Sequence, residues 1–212
     1  MLRRSAFIVP ASPVLRDRPP DGEAWLHEVK FDGWRIQLHK HDRGATIYTK
    51  SGNDFTRRWP AIAAAVAALP IRSAIIDGEL AACDARGLPD FAALHNHARD
   101  EELCVWAFDV LQLNGADLRA MPLTVRKYAL EKLVYKARDD WLRLSETFDD
   151  GVKLLASCER MGLEGIVSKK RDAPYRSGKC DWTKVKCLSW REANKDRGDL
   201  FNRDRRSYRG RE

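Results

Sequence analysis

Ionisable side chains interrupt the stretches of this chain that are otherwise most apolar. Ile75-Ile76-Asp77-Gly78-Glu79-Leu80 reads as a buried strand carrying two carboxylates, and Val105-Trp106-Ala107-Phe108-Asp109-Val110-Leu111 holds an acid among apolar neighbours. Glu164 precedes the strand-like run Gly165-Ile166-Val167-Ser168, which ends on Lys169 and Lys170. Ionised groups are almost never buried without a partner. Glu79, Asp109 and Glu164 therefore each require one, and a shared cleft holding a ligand and a metal ion would supply it. Plainer readings stand beside this one. Asp77-Gly78 also suits a bulge or turn, Phe108 suits ordinary core, and Lys184 with Lys186 suits a solvated strand face.

The hexapeptide Lys30-Phe31-Asp32-Gly33-Trp34-Arg35 offers a candidate nucleophile. A lysine attacks only when neutral, and an unperturbed one titrates near ~10.4. Neighbouring cations or a desolvated pocket lower that value. Asp-Gly is also a common hairpin connection, so the segment alone is compatible with a simple turn. Asp181-Trp182-Thr183-Lys184-Val185-Lys186 alternates, which puts Lys184 and Lys186 on one face of a strand. Those two lysines would face the charge that builds on phosphate oxygens if Lys30 attacked a phosphate.

These segments, in this order, resemble the covalent nucleotidyltransferases: ATP-dependent DNA ligases, RNA ligases and messenger-RNA capping enzymes. Glu28-Val29-Lys30-Phe31-Asp32-Gly33-Trp34-Arg35, Asp77-Gly78-Glu79 and Tyr175-Arg176-Ser177-Gly178-Lys179 are similar to the ligase domain of bacterial end-joining ligases. The resemblance spans roughly residues 7–188. It implies an α+β, ATP-grasp-like nucleotidyltransferase fold, with largely antiparallel sheets around a nucleotide cleft. It also implies a covalent Lys30-AMP made from ATP, with Lys184 and Lys186 as catalytic cations. Glu28, Arg35, Lys50, Glu79, Phe108 and Lys169 would surround the nucleotide, with Phe108 against the adenine and Glu79 on the ribose. Magnesium or manganese would rest on Glu164 and Glu79, with Asp77 a weaker candidate. The implied substrate is nicked duplex DNA in the repair of breaks.

Two departures follow. Lys50, in Thr49-Lys50-Ser51-Gly52-Asn53, stands where the family carries an arginine, which keeps the charge but loses the planar fork. Too few residues follow Lys186 for the five-stranded OB-fold barrel of such ligases. Weak ligation, or dependence on an OB-fold or end-joining partner in trans, is the expectation. An RNA ligase, a non-catalytic DNA-binding accessory and one half of a split ligase remain alternatives.

A formal net charge of +7 suits a polyanionic partner. No apolar run reaches the ~20 residues of a membrane span, and the start lacks the apolar core of a signal peptide. Five cysteines without a C-x-x-C pair suit reduced thiols in the cytoplasm. His95-Asn96-His97 has no accompanying ligand cluster, so zinc is not expected there. Residues 1–21 read as an irregular lead-in, 22–188 as the adenylation domain and 189–212 as a flexible basic tail. Strands are expected at 25–29, 34–39, 45–49, 73–83, 103–113, 165–169 and 183–187. Helices are expected at 55–68, capped by Asp54, at 91–98, at 122–137 and from Asp149 or Asp150 to 161.

Overall fold

The computed structural model describes residues 6–83, 94, 103–137 and 140–195. Most of the helix expected at 91–98, with His95 and His97, and the arginine-rich stretch 202–211 lie outside the described residues. Among those described, the apolar runs form ten strands: β1 (Ala11–Leu15), β2 (Trp25–Lys30), β3 (Trp34–His41), β4 (Gly44–Thr49), β5 (Ala74–Ala82), β6 (Leu103–Leu113), β7 (Ala116–Asp117), β8 (Leu142–Leu144), β9 (Gly165–Lys170) and β10 (Gly178–Lys186). Four α-helices accompany them: α1 (Pro60–Ala68), α2 (Leu123–Ala137), α3 (Gly151–Arg160) and α4 (Leu188–Ala193).

Two sheets result. The first runs β1-β10-β9-β2, and the second runs β4-β3-β5-β6-β7 with β8 added beside β6. Only the β1–β10 and β6–β8 pairs are parallel. The fold is therefore the expected α+β class with largely antiparallel sheets. One core lies between the second sheet and α1 and α2, built on Ile36, Leu38, Ile47, Ile62, Val105 and Leu130. A smaller one, with Ile75, Leu111, Tyr175 and Trp182, joins the two sheets. A third seats α3 on the first sheet through Leu154, Ile166 and Val185.

The structure corrects the expected layout in four places. Residues 11–15 are a strand, not irregular lead-in, because β10 offers them a parallel edge. Phe31-Asp32-Gly33 is not a hairpin turn, since β2 belongs to the first sheet and β3 to the second. The chain crosses there from sheet to sheet. Gly33 permits the passage, because a Cβ at that position would lie 2.2 Å from the Leu80 carbonyl oxygen. The helix expected at 55–68 splits into a 3₁₀ turn, Thr56–Arg58, and α1, with Pro60 in the first turn of α1. The Asp54 carboxylate binds Thr56 instead of capping a long helix. Finally, 189–193 of the expected tail are helical as part of α4, and Glu159 caps α4 by accepting from the Leu188 and Ser189 amides at 2.9 and 2.8 Å. Between the two starts expected for α3, Asp150 provides the cap, accepting from the Lys153 amide at 2.9 Å.

Candidate active site

Strand register brings the late lysines to the early one. Lys30 at the end of β2 and Lys186 at the end of β10 both pair with Gly165, the first residue of β9 between them. Glu164, one residue earlier, therefore emerges between two lysines. Its Oε2 accepts from Lys30 Nζ at 2.5 Å and its Oε1 pairs with Lys186 Nζ at 2.9 Å. Gly165 makes this approach possible. It holds φ +150°, and a Cβ there would sit 2.0 Å from the Val185 carbonyl oxygen. Any side chain would push β9 off β10.

Alternation then carries one face of the first sheet into a cleft: Glu28 and Lys30 from β2, Val167 and Lys169 from β9, Trp182 and Lys184 from β10. The second sheet faces them with Arg35 and Glu79, which are paired in register, and with Phe108. Together with Lys50, these residues line a cavity of about 290 Å³. Eight of the ten expected site residues thus share one cavity, and Lys186 and Glu164 join it through Lys30.

Burial shapes the charges here. Burial pushes the Glu79 carboxyl up to about 7; Lys30 and Arg35 oppose the shift, while Glu164 and Asp32 add to it. Lys184 is lowered, first by burial and then by Lys30 and Lys186. Burial also lowers Lys169, 2 % exposed beneath the cavity, despite its 2.8 Å pair with Glu28 Oε1. Burial alone would raise Glu28, but Lys127 and Lys169 hold it below the ordinary value. Glu28 Oε2 also accepts from Ser145 Oγ at 2.9 Å.

Three expectations change. Arg35 lines the cavity, yet its Nε and Nη2 are committed to Asp77 at 3.1 and 2.8 Å, and Nη1 donates to the Ala11 carbonyl. It serves as a wall, its guanidinium carbon 5.2 Å from the Phe108 ring centroid. Asp77 cannot also serve a metal without giving up partners, since Tyr175 Oη donates to its second oxygen at 2.7 Å. Asp109 finds its partner away from the cleft: Arg126 of α2 grips both its oxygens at 2.8 and 2.9 Å, and both residues are fully buried.

Sequence reasoning missed Trp182 as cavity wall, the Lys127–Ser145 support of Glu28, and Trp190. Trp190 Nε1 donates to Asp32 Oδ2 at 3.2 Å, and its ring lies 4.2 Å beneath Lys186 Nζ. The available signal for the first pair was two adjacent cations, Arg126 and Lys127, on buried positions of a helix. Glu164 and Asp32 lie near enough to Glu79 to act on its carboxyl, as Lys30 does. Among the described residues no three His, Cys, Asp or Glu side chains converge as a metal cage. Magnesium or manganese, which keeps waters and takes one or two carboxylates plus phosphate oxygens, fits such a donor set.

Residues 17–186 match the family described as ATP dependent DNA ligase domain. The chain belongs to this family. A relative in Pseudomonas aeruginosa, Multifunctional non-homologous end joining protein LigD, is 38% identical over 186 residues, covering 85% of this chain and 22% of that protein. A Probable DNA ligase of Nocardioides sp. is 34% identical over 194 residues, covering 84% of this chain and 38% of its own length. The ligase domain thus spans well under half of either relative. The solved mycobacterial DNA ligase D complexed with ATP and MES superposes with a TM-score of 0.76 at 28% identity, covering 84% of this chain and 60% of that one. The ATP-dependent ligase of bacteriophage T7, at 16% identity and a TM-score of 0.63, shares the fold. The ligase domain is therefore of the nucleotidyltransferase type. Among the described residues no helix is long and apolar enough to cross a membrane.

Proposed function

We propose that this ligase domain is an adenylyltransferase that takes AMP from ATP onto Lys30 and passes it to the 5′-phosphate of a broken DNA strand. The observation that carries the reading is the Glu164 carboxylate bridging Lys30 and Lys186 at the rim of the cavity. Phe108 and Trp182 supply flat apolar surface for the adenine, and such stacking contributes roughly 1–3 kcal/mol per base. Glu28, held by Lys169, Lys127 and Ser145, presents a fixed carboxylate at the cavity floor. Glu79, on the opposite wall, would meet the ribose hydroxyls. Lys50 and Lys184 line the same cavity as cations available to the phosphates.

In the first step Lys30 must lose a proton, and Glu164 Oε2 is its acceptor at 2.5 Å. The neutral Nζ attacks the α-phosphorus, the N–P bond forms, the bond to the bridging oxygen breaks, and pyrophosphate leaves. Lys184 and Lys186 offset the charge that develops on the phosphate oxygens. A magnesium or manganese ion would be held by Glu79 and by Glu164, which would exchange its pairing with Lys186 for the metal, and would add Lewis-acid charge to the same oxygens. In the second step an oxygen of the DNA 5′-phosphate attacks that phosphorus, the N–P bond breaks, and Lys30 recovers a proton. A 3′-hydroxyl then displaces AMP and closes the strand.

The end-joining function of the Pseudomonas relative supports DNA breaks as the setting. The test uses α-labelled ATP with magnesium. Acid-labile, alkali-stable label on the protein, absent in Lys30→Ala, supports the reading. An unlabelled wild-type chain, with or without an added OB-fold or end-joining protein, supports a non-catalytic DNA-binding role. Sealing of nicked DNA in preference to nicked RNA then distinguishes a DNA ligase from an RNA ligase.

A further inference from the structure

Arg58 ends the 3₁₀ turn with its guanidinium braced by aromatic rings. Its guanidinium carbon lies 4.8 Å from the ring centroid of Trp34, 5.7 Å from Phe55 and 5.9 Å from Trp59. The three rings also pack on one another, with centroids 5.7 to 6.0 Å apart. Trp59 is buried, so the bracket is anchored in the core beneath α1. Stacking of this kind holds a guanidinium in place while its in-plane N–H edge stays open.

Among the described residues that edge meets no protein acceptor. Among the described residues, the side chains of Arg57 and Arg58 make no hydrogen bond and no ion pair. Both are exposed, and with Phe55, Thr46 and Thr56 they line an open recess of about 620 Å³. The carboxylate of the recess, Asp54, accepts from the Thr56 amide at 3.0 Å and from its hydroxyl at 2.5 Å. A rigid, uncommitted guanidinium with a second arginine beside it is preorganised for a bidentate oxyanion.

We propose that Arg58, assisted by Arg57, binds a backbone phosphate of duplex DNA outside the nucleotide cavity. The choice of DNA rests on the function proposed above; the phosphodiester chemistry rests on the recess. An open recess gives a lone phosphate little enclosure, whereas a duplex brings its phosphates through many contacts at once. Trp34 and Arg35 alternate along β3, so the recess lies on the opposite face of that strand from the cavity. It can position a duplex without touching the nucleotide.

The test is fluorescence anisotropy of a labelled nicked duplex over a salt series, with wild type, Arg58→Ala and Arg58→Lys. In Arg58→Ala the Kd is expected to rise about tenfold. The slope of log K against log salt becomes shallower by about 0.9, the loss of one phosphate contact. Arg58→Lys restores the slope but not the full affinity, because lysine cannot stack. Lysyl-AMP formation without DNA is unchanged. The same Kd and slope in Arg58→Ala overturns the proposal, as does displacement of the duplex by inorganic phosphate at matched ionic strength. A chain that forms lysyl-AMP but binds no duplex also overturns it while leaving the adenylylation reading intact. Arg58-dependent duplex binding without lysyl-AMP sinks that reading and supports this proposal.

Discussion

Burial pushes the Glu79 carboxyl up to about 7, from an ordinary value of 4.5. The folded protein therefore holds a proton there between roughly pH 4.5 and 7 that the unfolded chain releases. Stability contributed by this group is present below 4.5 and is lost as pH rises through 7. Glu79→Gln removes that loss. Urea unfolding at pH 5 and pH 8 is expected to show the variant gaining about 1–3 kcal/mol more over wild type at the higher pH than at the lower, while lysyl-AMP formation falls. An equal gain at both pH values would mean that Glu79 is already ionised at pH 5. Arg126 makes the opposite case. It neutralises the fully buried Asp109, so Arg126→Met strands a charge and is expected to cost about 3–5 kcal/mol in the same assay. A loss under 1 kcal/mol would mean that water reaches Asp109. These residues also mark what was legible at this scale. The need of Asp109 for a partner followed from its apolar neighbours, but the partner's identity depended on α2 crossing β6, which no local pattern encodes.

At the scale of elements, β9 is the hinge of the site. Gly165 lies between Lys30 and Lys186; its φ of +150° strains any other residue, and the Val185 carbonyl oxygen leaves no room for a side chain. Gly165→Ala is expected to lose about 2–4 kcal/mol of stability by urea denaturation and to abolish label transfer from ATP. Retained stability would show that β10 can move aside. Helix α4 contributes from the other side. Trp190→Phe keeps a ring under Lys186 but loses the N–H donated to Asp32, and Trp190→Ala loses both. Because Trp190 does not line the cavity, single-turnover adenylylation should slow in the order wild type, Phe, Ala, with the KM for ATP unchanged. A raised KM with an unaltered rate would place Trp190 in nucleotide binding instead. The strands were legible because their apolar runs and alternation are strong. The crossover at 31–33 was not, since Asp-Gly suits a hairpin equally well, and only long-range pairing assigns β2 and β3 to different sheets. Helix α4 was hidden by its polar surroundings, where a single tryptophan and a cap from Glu159 supply the order.

For the whole molecule, two sheets joined by a shared core bring distant stretches of chain to one cavity. That convergence explains why a collinear set of motifs was readable in order while their mutual geometry was not. Sequence order named the residues; β-pairing between 30, 165 and 186 set their distances. The covalent bond from Lys30 to AMP would be visible in a crystal structure after soaking with ATP and magnesium. The expected result is continuous density from Lys30 Nζ to the α-phosphorus, with the adenine against Phe108 and the ribose beside Glu79. An unmodified Lys30 still paired with Glu164, with the nucleotide bound elsewhere, contradicts it.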